Sequence, residues 1–271
     1  MKRSKLVLLI VVILVVSIAA LWRFGSPSAP ILRAEHLDRT TLNPYYTEDW
    51  NLKDFKNEKL GIAIIIDSSK KTNMAWSSSS SAFNINPFDK SDTASKWLEQ
   101  SKESPDGTVT VYMKKSEATF KAVIEDPKMN LYLRYIALRD MDGLNFTADQ
   151  KFEFLQFTSG DPNATIRVMA MQKAGDYKPP ERVIPLCCRA LTDPCLMVAH
   201  GALYPLVKFF HIKDSDGKNE FETGFSYSGP PEGFDRMLRG QILYIAQSVH
   251  KIRPDLVRDD DLKLIVGTDR Q

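Results

Sequence analysis

An Asp-Pro dipeptide recurs three times in the chain, and this recurrence limits the possible folds more than any other feature of the sequence. The copies are Asp126-Pro127, Asp161-Pro162 and Asp193-Pro194, which stand 35 and 32 residues apart. Spacings of this size are typical of repeats built from a pair of helices. An aspartate suits the cap of a helix, and a proline suits its first position. The dipeptides therefore predict three helix starts.

The segment 161–175 is the clearest of these predicted helices. Its apolar residues follow the three-four spacing of one helix face, at Ile166, Met169, Ala170 and Ala174. Gly175 is predicted to end the helix. Five residues after each aspartate stands an apolar residue: Leu131, Ile166 or Val198. Nine residues after it stands a Tyr or Ala: Tyr135, Ala170 or Ala202.

Another helix is predicted before each Asp-Pro dipeptide. The first covers residues 117–125 with a Ser116 cap, and the second covers 148–157 with a Thr147 cap. The third covers 180–191 and opens with two prolines. One helical hairpin cannot bury its own apolar face, whereas a stack of hairpins can. The chain is therefore predicted to be mostly α.

These units resemble the HEAT-repeat or HEAT-like α-solenoid family. The resemblance rests on the second unit, where Asp, Pro, an apolar residue, Arg, Ala and Gly stand at Asp161, Pro162, Ile166, Arg167, Ala170 and Gly175. Lys173 and Ala174 depart from the pattern, and the other units carry Tyr132 and Ala199 in place of the arginine. The resemblance covers residues 116–213. It implies a solenoid scaffold without a particular ligand, and a pairing of Arg167 with an interhelix aspartate.

The first 24 residues are predicted to form a transmembrane anchor. Residues 6–22 are apolar apart from Ser17, and three basic residues precede them, at Lys2, Arg3 and Lys5. Such a run lies at the short end of the range for a membrane-spanning helix. The position of the basic residues places the N-terminus in the cytoplasm and the main domain outside it. That domain would be periplasmic in a Gram-negative cell.

A cleaved secretory signal is the alternative to an anchor. Ser17 and Ala19 provide small residues at the spacing of a cleavage site, with the cut after Ala19. Both interpretations export the rest of the chain. Residues 25–30, which contain Gly, Ser and Pro, are then predicted to be a tether.

Residues 31–115 are predicted to form a small α/β segment. Residues 60–66 and 108–113 are rich in β-branched residues and read as two strands, with a short helix between them at 92–101. The serine run 77–81 is predicted to be a loop. Two strands are too few for an independent sheet, so they should pair with each other and pack on helices.

The last segment, 214–271, is predicted to close the stack. Residues 221–234 are rich in aromatic residues, Gly and Pro, and read as an ordered loop. Residues 235–251 show the apolar spacing of an amphipathic helix. A repeat stack needs a cap over its terminal unit, and this helix is predicted to supply it.

The charge pattern suggests a binding surface. The net charge of +2 is too small for a chain-wide affinity for nucleic acid. The second helices of the repeats are mostly basic, and in HEAT-like stacks they line the inner face. We therefore expect an acidic protein partner to be bound there by the residues Arg134, Arg139, Lys173 and Lys208.

No catalytic or metal-binding pattern stands out, so we expect neither enzymatic activity nor a cofactor. Cys187, Cys188 and Cys195 lack the spacing of common zinc sites and read as small core residues. The predicted function is an exported, membrane-anchored HEAT-like scaffold that binds a protein partner in the cell envelope. An exported hydrolase and a module that binds a small ligand or lipid remain the alternatives.

Overall fold

The computed structural model of the chain describes residues 53–70, 78–79, 96–104, 107–223 and 231–267. All of them belong to one of the two units of the chain, His36–Gln271. Within those ranges, every helix is too short or too polar to cross a bilayer. The predicted anchor and tether, at residues 1–24 and 25–30, lie outside the described residues.

The strands form one antiparallel sheet. Their bounds are Phe55–Asn57 (β1), Ile62–Asp67 (β2), Ser78–Ser79 (β3), Trp97–Ser104 (β4) and Gly107–Lys114 (β5). The order across the sheet is β1-β2-β5-β4-β3, and every neighbouring pair is antiparallel. The predicted pairing of the two β-branched strands is confirmed, because β2 lies beside β5.

The two faces of this sheet contact different clusters. Alternate residues point to one face, and on that face the apolar side chains join the helical core; they are Ile62, Ile64, Val109, Val111 and Met113. Ala63, Trp97 and Tyr112 form a separate buried cluster on the opposite face. The apolar side chains of β2 and β5 therefore pack on the helices through one face of the sheet.

The tight approach of β5 to the end of β2 requires glycine at position 107. Gly107 has φ of 136°, and a Cβ atom there would lie 2.4 Å from the Asp67 carbonyl oxygen. Any side chain would both strain the backbone and collide with it.

Two sequence predictions in this region are wrong. Residues 97–101, expected in a helix, lie in β4, and residues 92–95 of that predicted helix are outside the described part. As a strand, this segment lets the Ser101 hydroxyl form a hydrogen bond with the Thr110 hydroxyl of β5, with 3.0 Å between the oxygens. It also brings Trp97 into the buried cluster with Ala63. In the serine run, Ser78–Ser79 is not a loop but pairs with β4, and residues 77, 80 and 81 are not described.

Nine α-helices follow within the described residues. Their bounds are Glu117–Glu125 (α1), Leu131–Asp140 (α2), Ala148–Thr158 (α3), Ala164–Asp176 (α4), Ile184–Ala190 (α5), Leu196–Gly201 (α6), Leu203–Phe210 (α7), Pro231–Ile252 (α8) and Asp259–Gly267 (α9). The predictions for α1 and α3 are confirmed, including the caps Ser116 and Thr147. The mostly helical fold class is likewise confirmed.

The helix predicted at residues 180–191 is divided in two. Residues Pro180–Arg182 form a 3-10 turn, and α5 begins only at Ile184. Prolines lack the N–H group that a continuous helix would need, which explains why the regular helix starts late. At the other end of the chain, α8 begins at Pro231, so residues 231–234 are helical rather than part of the predicted loop.

The helices pack in pairs around α4. The second helices α2, α4 and α6 lie side by side, while α1 and α3 pack against their own second helices and against each other. All residues of α4 from Thr165 to Met171 are buried, so this helix is the centre of the core. Helix α8 covers α6 and α7, and α9 packs on α8.

The Asp-Pro dipeptides do not start the helices as predicted. The cap of α4 is Asn163, and the helix begins at Ala164, beyond Pro162. The Asp161 side chain instead accepts a hydrogen bond from the Asn163 N–H, at 2.8 Å. The same turn occurs at the other two copies, with 2.9 Å from the Lys128 N–H to Asp126 and 2.8 Å from the Cys195 N–H to Asp193. Each aspartate therefore shapes the turn that precedes a helix.

The prediction that Gly175 ends the helix is also wrong. Helix α4 continues through it to Asp176 and is capped by Tyr177. A Cβ atom on Gly175 would lie 3.0 Å from the Tyr204 ring. The glycine allows α7 to approach closely and does not end the helix.

The helix caps align the three helical units better than the aspartates do. The capping positions are Asn130, Asn163 and Cys195. Four residues after the cap stand Arg134 and Arg167, so Arg134 and not Tyr132 corresponds to Arg167. Buried apolar residues fill two further columns, Leu133, Ile166 and Val198, then Ala137, Ala170 and Ala202. The first turn is two residues longer than the second, which is why counting from the aspartate misaligned it.

Candidate partner-binding surface

Arg134 lies in the interior and cannot contact a partner, so its prediction as a binding residue is wrong. Its side chain is 3% exposed and forms an ion pair with Asp161, whose side chain is 1% exposed. It also donates to the Ile124 carbonyl oxygen, at 3.1 Å from Nη2. This arginine therefore joins α2 to the turn before α4.

Arg167 repeats the arrangement one unit further along. Its Nε and Nη2 atoms bond to the two carboxylate oxygens of Asp193, at 2.7 and 2.9 Å. Its Nη1 atom donates to the Asp161 carbonyl oxygen, at 2.9 Å. The predicted pairing of Arg167 with an interhelix aspartate is confirmed. We call the two pairs, Arg134–Asp161 and Arg167–Asp193, the arginine–aspartate ladder.

Arg139 is half-buried at the end of α2, where it links the helices to the sheet. Its Nε and Nη2 atoms bond to both carboxylate oxygens of Asp140, at 2.7 and 2.6 Å. The same Nη2 atom donates to Gln100 of β4, at 2.8 Å. The hydrogen bond with Asp140 raises the pKa of Arg139, so its positive charge is fixed in place.

Lys173 meets a second lysine at a shared carboxylate. Lys173 of α4 and Lys151 of α3 bond to the two oxygens of Asp142, at 2.7 and 3.0 Å. Burial favours a higher pKa for Asp142, but the hydrogen bonds from the two lysines outweigh it and hold that pKa below the usual value. We call Lys151 and Lys173 the lysine pair. Because Asp142 follows α2, side chains from three helices meet at one point.

Arg139 and Asp142 line the same cleft, between the sheet and the first helical hairpin. Its volume is about 350 Å³, and its lining residues are Leu98, Lys115, Phe120, Arg139, Asp140, Asp142, Gly143 and Leu144. We call it the junction cleft. The structure therefore brings two of the four predicted residues, Arg139 and Lys173, to one place.

Lys208 lies elsewhere. It is on α7, where its side chain is 57% exposed and its Nζ atom is 3.4 Å from a carboxylate oxygen of Glu220. Its ammonium group also lies 5.9 Å from the centre of the Tyr204 ring. It is the most exposed of the four predicted residues, but it does not line the junction cleft.

Sequence reasoning missed several residues of this region. Gln100 lies in β4, and Lys115 directly follows β5. Asp142 lies in the turn after α2, and Lys151 is on α3. No local pattern joins them, because only the packing of these elements brings them together. Together with Arg139, Asp140 and Lys173, they give the cleft and its border four cationic and two anionic side chains. The local balance is therefore positive.

Two tyrosines lie beside this charge cluster. Tyr132 and Tyr135 of α2 stack with their ring centres 6.5 Å apart. Burial raises the pKa of Tyr132 to about 12 and also raises the pKa of Tyr135, while the charge of Arg139 opposes both shifts. Both phenols are therefore protonated at neutral pH and add no negative charge.

The cysteines behave as core residues in the described structure. All three are free thiols, and Cys187 and Cys188 are buried. Burial raises the pKa of Cys188 to about 12, which disfavours the reactive thiolate. Among the described residues, no group of three or more His, Cys, Asp or Glu side chains is arranged to hold a metal ion.

Comparisons of the chain with protein-family models, with curated proteins and with solved structures found no match.

Proposed function

We propose that this chain is an exported, membrane-anchored scaffold of HEAT-like repeats that binds an acidic protein partner in the cell envelope. The binding surface consists of the junction cleft and the lysine pair. One observation carries the proposal: basic side chains of α2, α3 and α4 converge beside the cleft, although they are far apart in the sequence.

The rigidity of the scaffold supports this proposal. The arginine–aspartate ladder ties α2 to the turn before α4, and α4 to the turn before α6. These pairs are almost fully removed from solvent, and a shift of α2 relative to α4, or of α4 relative to α6, would break them. A surface built on such elements keeps its shape before the partner arrives, which lowers the entropic cost of binding.

The charge of the surface indicates the kind of partner. Asp140 is paired with Arg139, and Asp142 is paired with Lys173. The two carboxylates therefore hold the basic groups in position, and this pairing weakens their repulsion of an incoming carboxylate. Two positive charges remain in excess. Partly exposed charge pairs contribute modestly to affinity and more strongly to the rate and selectivity of association. The surface therefore suits an acidic segment of a protein.

The predicted anchor would place this surface in the cell envelope. Residues 6–22 are apolar and follow three basic residues, which favours a single span with a cytoplasmic N-terminus. The domain that carries the junction cleft would then face the envelope, where a tethered scaffold meets its partner at high local concentration.

The proposal is tested by crosslinking in native membranes, followed by identification of the captured proteins. We expect Lys151→Gln/Lys173→Gln to reduce capture of an acidic partner at least fivefold, because the change removes two of the four cations. The matched control is Lys208→Gln, which removes an exposed lysine away from the cleft. Circular dichroism checks that each variant is folded.

Two results would refute the proposed binding surface. One is capture of the same proteins in equal amounts by the native chain and the double variant. The other is an equal loss with Lys208→Gln, which would show that overall charge and not this surface governs binding. A domain located in the cytoplasm, measured by protease protection, would refute the exported orientation.

A further inference from the structure

The junction cleft combines an apolar part with two cationic groups whose hydrogen-bonding capacity is not fully used. Leu98, Phe120 and Leu144 supply the apolar part. In the part of the chain that the structure describes, Lys115 has no ion-pair partner. Within the same residues, the Nη1 atom of Arg139 donates to no acceptor either, since Asp140 and Gln100 accept bonds only from Nε and Nη2.

Lys115 is held in position by its backbone. Its N–H donates to the Lys96 carbonyl oxygen at 2.7 Å, which extends the pairing beyond the end of β5. The next residue, Ser116, caps α1 through its bond with the Thr119 N–H. The lysine therefore stands at a fixed point between sheet and helix, with a long side chain that reaches the cleft.

The acidic groups of the cleft are already neutralised. Asp140 is bound on both oxygens by Arg139, and Asp142 is bound by the lysine pair. A ligand would therefore meet the free donors of Lys115 and Arg139 first. Guanidinium and ammonium donors favour carboxylate oxygens, with which they form short charge-assisted hydrogen bonds.

The size of the cleft indicates how such a carboxylate is presented. The cleft, with a volume of about 350 Å³, has room for two neighbouring side chains, one bound by the cations and one placed against the apolar residues.

We propose that the junction cleft binds a segment of the partner protein in which an acidic side chain adjoins an apolar one. The carboxylate bonds to Lys115 and to the Nη1 atom of Arg139, and the apolar side chain packs on Leu98 and Leu144. This inference rests on the proposed function and specifies the chemistry that the same surface recognises. The lysine pair lies beyond the cleft and accommodates further acidic residues of the segment.

The test measures binding of fluorescent peptides to the full chain in lipid nanodiscs by anisotropy. The probe contains Glu-Leu within a Gly-Ser sequence, with both ends blocked, and the comparison peptides carry Gln-Leu or Glu-Gly. We expect either replacement to raise the Kd at least fivefold. Loss of the carboxylate removes the charge-assisted bonds, and loss of the Leu side chain removes its apolar contact.

A variant of the chain tests whether Lys115 binds the carboxylate of the peptide. Lys115→Gln should raise the Kd of the Glu-Leu peptide about fivefold and leave that of the Gln-Leu peptide unchanged. Lys121→Gln is the matched control, since Lys121 is an exposed lysine on α1 outside the cleft. Equal Kd values for all three peptides, or equal effects of Lys115→Gln on the Glu and Gln peptides, would overturn the inference.

Two further outcomes separate this inference from its alternatives. If 4-methylpentanoate displaces the peptide at concentrations equal to the peptide's own Kd, the cleft is a small-carboxylate site and the peptide proposal is wrong. If Lys115→Gln captures the membrane partner normally while the lysine-pair variant does not, the inference fails and the proposed function stands. Loss of capture with both variants supports the two together.

Discussion

The three Asp-Pro turns offer a matched test of what the arginine–aspartate ladder contributes to stability. Each aspartate accepts one backbone N–H bond in the same type of turn, at 2.8 to 2.9 Å. They differ in their arginine partner. Asp126 is exposed and has none among the described residues, Asp161 pairs with Arg134, and Asp193 pairs with Arg167.

The expected costs of replacing each aspartate by alanine follow from these contacts. Asp126→Ala loses one turn hydrogen bond and should cost about 1 kcal/mol. Asp161→Ala also leaves Arg134 buried without a counter-charge, and should cost about 4 kcal/mol. Asp193→Ala should cost about 3 kcal/mol, because the Asp193 side chain is 12% exposed and Arg167 keeps two carbonyl acceptors.

Asparagine separates the turn from the charge. Asn forms the same turn as Asp, so Asp126→Asn should change the unfolding free energy by less than about 0.5 kcal/mol. Asp161→Asn keeps a turn acceptor but removes the counter-charge, and should still cost about 3 kcal/mol. Urea unfolding of the full chain in detergent, followed by far-UV circular dichroism, gives these values. Equal costs at the three turns would refute the reasoning.

Three further predictions concern single groups. Gly240 lies within α8 with open space around its Cα, so Gly240→Ala should raise the unfolding free energy by about 0.5–1 kcal/mol in urea unfolding. The folded-state pKa of Asp142 is lowered, so its lysine contacts stabilise the fold above about pH 4 and are lost as the pH falls through that pKa. Asp142→Asn should therefore cost about 0.5–1 kcal/mol at pH 7, and nothing below the folded-state pKa. In maleimide labelling followed by mass spectrometry, the partly exposed Cys195 should react before Cys187 and Cys188, and labelling of all three at equal rates would contradict the burial of the other two.

Local signals predicted the parts of the fold that depend on local interactions. Ser116 and Thr147 each accept a bond from a backbone N–H of the following turn, and the helices begin directly after them. The β-branched run of β2 and the alternation of β5 likewise identify strands whichever partner they pair with. Such features are encoded within a few residues.

The features that were predicted wrongly depend on distant partners. The polar segment of β4 becomes a strand because β5 lies beside it, and its own composition does not require this. The length of the turn after Asp126 decides which residue faces the next unit, and two extra residues moved Arg134 into the core. In the sequence, Arg134 follows Asn130 by the same number of residues as Arg167 follows Asn163. This equal spacing was the signal that would have revealed the correct alignment.

The candidate surface was predicted only in part for the same reason. Arg139 and Lys173 were selected from the charge of the second helices, and both do lie near the junction cleft. Lys208 has the same type of charge but sits on α7, because the third unit turns into a second short helix after Gly201. Lys115 lies outside the helical units, and its place in the cleft could be found only once the position of the sheet was known.

The burial of α4 determines how this chain can vary in length during evolution. A repeat array usually gains or loses units easily, since each unit contacts only its neighbours. Here the apolar core of the helices continues into the sheet, and α4 touches helices on both sides. Deleting the central unit would break both ladder pairs at once and separate the sheet from α6. Insertions and deletions should therefore accumulate in exposed turns, such as residues 214–219, while the number of units from β1 to α7 stays constant.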